Sequence, residues 1–154
     1  MPTQHFSQFI AASPAEVFAA LLDPRALVRW RVPSGMHATV HQFEPWAGGH
    51  FRVSLTYQQP DQSGKTTAHA DTYHGRFQEL VRDARVVEVM EFESDLPEMQ
   101  GEMLITTTLQ AIERGTLLEA THEGLPRGVS ASDNELGWRD SLATLARLLE
   151  AGGL

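Results

Sequence analysis

Seven histidines, 20 acidic side chains and no cysteine set the chemistry that this chain of 154 residues can attempt. Without cysteine there is no disulfide framework, no thiolate zinc site and no thiol nucleophile, which suits a reducing compartment. Histidine chemistry remains. His37 and His41 share one face of an expected strand, and His69, Asp71 and Tyr73 share a face of another. Strand neighbours two apart project about 7 Å apart, so zinc would need a third ligand from an adjacent strand. The spacing guarantees none and no His-Glu-x-x-His motif is present, so neither a metal nor a cofactor is expected.

His122 has a better claim. It alternates with Leu118 and Ala120 on an apolar strand face, where an imidazole usually has a reason to be. A hydrogen-bonded core histidine is the plainer reading, and a polar contact inside a pocket is the functional one. A further polar group depends on strand register. If the hairpin around Val81-Arg82-Asp83-Ala84 pairs symmetrically, Gln78 opposes Glu88 and Arg76 opposes Met90. His74, Arg76, Gln78 and Glu88 then share a face. Phe77, Val87 and Val89 make the opposite face more apolar, which favours solvent for the polar group.

Charge narrows the partners. The net charge of −8 argues against nucleic acid, because phosphate binding needs a concentrated basic surface. Arg25, Arg29 and Arg31 are the one basic cluster and supply too little. Between Glu88 and Glu102 lie six acids and no base, read as a solvated strand end and loop. No nucleotide-binding glycine motif is present, and no stretch approaches the roughly 20 apolar residues of a membrane span. Met1 to Ile10 lacks the positive flank and apolar run of a signal peptide, so a cytoplasmic protein is expected.

The elements that position these residues follow from periodicity. Gln4 to Ala11 reads as a strand. Ser13-Pro14 with Glu16 then forms a capping box, and Val17, Phe18, Leu21 and Leu22 recur at helical spacing. Asp23-Pro24 separates a second short helix, Arg25 to Trp30. From Met36 the period falls to two, giving strands His37 to Pro45, Phe51 to Tyr57, Thr67 to Leu80, Arg85 to Glu93, Met103 to Ala111 and Thr116 to Glu123. Gln58 to Lys65 reads as a loop. Trp138, Leu142, Leu145 and Leu149 form one stripe of a last helix, capped by Ser132 with Glu135 and ended by Gly152-Gly153. This order predicts one α+β domain over residues 1–154, with a curved antiparallel sheet of about seven strands covered by one long helix. A single helix cannot fill the whole concavity, so the remaining space is packed by large side chains or held open for a ligand.

Several segments also carry a family resemblance. Ile10-Ala11-Ala12-Ser13-Pro14-Ala15-Glu16-Val17-Phe18, followed by Leu21, Asp23-Pro24 and Trp30, resembles the opening of the START-like helix-grip superfamily, also called SRPBCC. Within it the chain is most similar to the heat-shock-protein-90 ATPase activator homologues. Val40 to Phe51 with its Gly48-Gly49 turn, Gly115-Thr116 with Thr121 to Leu125, and Gly137-Trp138 agree with that family. Arg82-Asp83 stands where a Pro-Pro turn is common in it.

The resemblance implies a sheet gripping the C-terminal helix around a hydrophobic cavity that binds an apolar or amphipathic small molecule. The expected wall is Trp30, Phe43, Phe51, Val53, Phe77, Val89, Thr107, Leu109, His122, Trp138, Leu142 and Leu145, with Trp46 at the mouth. Some superfamily members are polyketide cyclases or hydrolases, which would here use His122 with Glu79 or Glu88 as acid and base, although no catalytic residue is assigned. The family name suggests an ATPase-activating co-chaperone, but the eukaryotic activators contact the chaperone through an additional N-terminal domain for which this chain has no room. Exposed strand edges or an apolar outer sheet face leave a homodimer open.

Overall fold

The computed structural model describes residues 3–57 and 70–152. The loop expected over Gln58 to Lys65, the start of the strand expected from Thr67, and His69 lie outside the described residues, as does Gly153. The chain runs β1 (Gln4–Ile10), α1 (Pro14–Leu21), α2 (Pro24–Trp30), β2 (Met36–Phe43), β3 (His50–Tyr57), β4 (Ala70–Val81), β5 (Arg85–Phe92), a 3-10 turn (Pro97–Met99), β6 (Met103–Ile112), β7 (Gly115–Glu123) and α3 (Ala131–Glu150). It is the expected α+β helix-grip architecture.

All seven strands form one antiparallel sheet in the order β1-β7-β6-β5-β4-β3-β2, so the first strand docks beside the last. The alternation read from the sequence sets the inner face. Phe51 and Val53 of β3, Ile105 and Leu109 of β6, and Leu118 and His122 of β7 are all buried there. Ser13 accepts from the Glu16 amide while the Glu16 carboxylate returns to the Ser13 amide, which starts α1 as its motif requires. The three helices pack on the concave side. One apolar cluster joins Phe6, Ile10, Leu109 and Leu118 to Val17, Trp30, Leu142 and Leu145; a second joins Phe51, Val53, Phe77 and Ile105 to Leu27, Leu125 and Val129. No helix among the described residues is long and apolar enough to cross a membrane.

Two local expectations are corrected. The cap of α3 is Ser130, whose hydroxyl accepts from the Asp133 amide, rather than Ser132; Glu135 instead pairs with Arg139 one turn on. The hairpin register holds from Val81↔Arg85 to Glu79↔Val87, then a bulge at Gln78 shifts it, so that Phe77 opposes Glu88 and Arg76 opposes Val89. One extra residue exchanges the two faces of everything beyond it. His74 and Arg76 stay on the outer side, where His74 meets Glu93 at 3.0 Å. Glu88 is turned into the core beside Phe77 and Ile105, while Val87 and Val89 face outward.

Candidate functional site

A cavity of about 270 Å³ lies between the concave sheet and the first half of α3. Leu55, Tyr73, Met90, Phe92 and Met103 form its sheet wall, and Asn134, Gly137, Trp138 and Ser141 its helix wall. Those helix residues stand at i, i+3, i+4 and i+7, one face of a helix. The next residues of α3 on the same side, Leu142 and Leu145, are large and pack solidly. The cavity exists because the earlier turns present Gly137 and Ser141 instead. A Cβ placed on Gly137 would meet nothing within 4 Å. Gly128, Ser130 and Asp133, all exposed, edge the opening.

The third wall is Arg31 with Pro33. Arg31 follows the last turn of α2, and its side chain and that of Glu88 are only 10% and 8% exposed. Arg31 Nη1 donates to Glu88 Oε1 at 2.7 Å and Nη2 to Met90 Sδ at 3.6 Å. The guanidinium lies 4.8 Å from the Trp138 ring centroid and 5.3 Å from that of Tyr73. Burial is the largest influence and works against its charge, but the attraction of Glu88, with that of Tyr73 and the hydrogen bond to Glu88 added, leaves the Arg31 pKa raised above its usual value. Burial also raises the Tyr73 phenol, partly opposed by Arg31, so Tyr73 keeps its proton. The Tyr73 hydroxyl is buried and has no hydrogen-bond partner among the described residues.

His122 is fully buried behind this wall. It meets Phe6 and Trp138 edge-on, with centroids 4.9 and 4.7 Å away. Asn134 Nδ2 contacts Gln4 Oε1 at 2.6 Å and His122 Nδ1 at 3.2 Å; an amide nitrogen donates, so the neutral ring carries its proton on Nε2. Burial first, then the Arg31 charge, lowers its pKa to about 3. The carboxylates expected to work with it are engaged elsewhere: Glu88 with Arg31, and Glu79 with Arg85 at 2.6 Å on the surface. Asn134 thereby ties the start of α3 to β7 through His122 and to β1 through Gln4.

Of the wall expected from the sequence, Trp138 alone borders this cavity. Trp30, Thr107 and Leu142 surround a separate void of about 10 Å³ beside Arg31 and Glu88, the size of one water molecule. Phe43, Phe51 and Phe77 pack ring against ring next to Val53. Leu109 and Leu145 are solid core, and Val89 borders an outer hollow with His50 and Arg76. Trp46 is 58% exposed, away from the opening. The residues missed are Arg31, Tyr73, Asn134, Gly137 and Ser141. The helix members carried a signal: small and polar residues on the stripe that must face the sheet. Among the described residues no three histidine, aspartate or glutamate side chains converge to hold a metal ion.

The profile of the activator of Hsp90 ATPase homolog 1-like proteins matches residues 11–150. The chain belongs to that family. A crystal structure of a Chromobacterium violaceum protein is 30% identical and superposes with a TM-score of 0.85, covering 96% of each chain. A Rhodobacter sphaeroides protein is 25% identical with a TM-score of 0.80, over 97% of this chain and 92% of that one. A family member from Aeromonas hydrophila shares the fold at 19% identity, with a TM-score of 0.76 over 99% of this chain and 94% of its own. No curated protein matches the chain. Within this family's fold, the cavity combines a largely apolar wall with the Arg31 guanidinium on one side.

Proposed function

We propose that this chain binds an amphipathic small molecule between its sheet and α3. The observation that carries the reading is Gly137: a glycine in the middle of a helix costs about 1 kcal/mol relative to alanine, and this one faces open space that a side chain would fill. Apolar space kept open at the expense of stability is characteristic of a site with an occupant. A cavity near 150 Å³ accepts benzene, so about 270 Å³ suits a bicyclic or short branched molecule rather than a long lipid. Leu55, Tyr73, Met90, Phe92, Met103 and Trp138 would hold its apolar body, and Arg31 its polar group.

The test is native mass spectrometry of purified protein, followed by solvent extraction of whatever is released and by titration with bicyclic aromatic probes. The expected result is a one-to-one adduct that Gly137→Met abolishes. A chain that carries no occupant and takes up no probe refutes the proposal.

A further inference from the structure

We infer that the small void behind Arg31 and Trp138 binds a single water molecule, which completes the buried Arg31–Glu88 pair. This site stands whether or not the larger cavity holds a guest. Glu88 accepts from Arg31 through Oε1 alone, and a buried carboxylate is well compensated only when its remaining lone pairs are also satisfied. No donor among the described residues reaches Oε2, and no partner there reaches the Thr107 hydroxyl. Yet neither atom is sealed in protein as the Tyr73 hydroxyl is, and both residues border the void of about 10 Å³.

Strand register sets the two groups at bridging distance. Val86 of β5 opposes Thr107 of β6 and Glu88 opposes Ile105, so Glu88 and Thr107 are diagonal neighbours on the inner face. Diagonal residues stand about 7–8 Å apart at the backbone, and with Glu88 drawn toward Arg31 one molecule closes the gap. About 10 Å³ of free volume is what one water needs, and Glu88, Thr107 and Arg31 supply the two to four polar neighbours that a buried water uses. A void with apolar walls alone would stay dry. Charge excludes an ion, because a cation would sit against Arg31 and an anion against Glu88. The water donates to Glu88 Oε2 and accepts from Thr107 Oγ1. Arg31 and Trp138 border both spaces, so the water lies directly behind the wall that a guest would touch and, through Glu88, steadies the guanidinium in it.

The experiment is a high-resolution crystal structure of the wild type and of Thr107→Val, with thermal unfolding of both. The wild type is expected to show one ordered water within about 3.2 Å of Glu88 Oε2 and Thr107 Oγ1. Thr107→Val keeps the branched shape and removes the hydroxyl. It is expected to lose that water and to melt about 3 °C below the wild type, because the carboxylate oxygen is then left short of a donor. In a dry void the same substitution exchanges an unpaired hydroxyl for a methyl group and raises Tm, so the two cases differ in sign. An empty void in the wild type, a water that persists in Thr107→Val, or a Tm of that variant at or above the wild-type value each overturns the assignment.

Discussion

Gly137 sets stability against function, and replacing it measures both. It lies in the second turn of α3 with no atom within 4 Å of where a Cβ would stand. Gly137→Ala gains about 1 kcal/mol of helix propensity with no clash to oppose it. At about 2.1 cal/mol/K per residue, unfolding 154 residues carries about 0.3 kcal/mol/K of entropy, so the expected gain in Tm is about 3 °C. Gly137→Met extends a flexible apolar chain into the cavity. Each methylene it buries contributes up to about 0.8 kcal/mol, less the rotamer entropy lost, so this variant should melt at least as high as Gly137→Ala. The assay is thermal unfolding by circular dichroism, paired with native mass spectrometry on the same samples. Stability rising while the adduct disappears supports the reasoning. If either variant melts below wild type, or if Gly137→Met keeps a stoichiometric occupant, the argument from open space is refuted.

Two further outcomes follow from the buried polar groups. Glu88→Gln leaves the Arg31 charge uncompensated in the core and should cost about 3–5 kcal/mol, lowering Tm by about 10–15 °C, whereas Arg31→Met with Glu88→Leu should recover most of it. A loss below about 1 kcal/mol in urea unfolding would show that the pair holds nothing. His122 titrates near 3 in the fold against 6.5 in the unfolded chain, so below 6.5 the unfolded state takes up a proton that the native state refuses. The stability due to neutral His122 is complete above that value and is lost at about 1.4 kcal/mol per pH unit as pH falls toward 3. The difference in urea midpoints between wild type and His122→Gln should therefore shrink on acidification; parallel curves would contradict the depressed pKa.

The periodicity and caps of this sequence determine its elements because those signals act within a few residues. Ser13, Pro14 and Glu16 begin α1 by local hydrogen bonds alone, and the alternation from Phe51 to Tyr57 assigns a face to each side chain before any partner strand is known. The family follows from several such segments in order. The site did not follow, because it is set by events with no local signature. A single unpaired residue at Gln78 turns Glu88 from solvent to core, and only then can Arg31, 57 residues earlier, find its partner. Ser130 rather than Ser132 starts α3, which follows from where the preceding loop meets β1 through Gln4 and Asn134. The stripe of α3 was legible as a buried face. Its division into a half that packs solidly, at Leu142 and Leu145, and a half that leaves a cavity, at Gly137 and Ser141, depends on how closely the curved sheet approaches each turn. Sequence alone thus determined the elements, the fold and the inner face wherever pairing is regular; tertiary structure decided that face beyond the Gln78 bulge and which part of it is filled, because register and packing space are properties of several elements together.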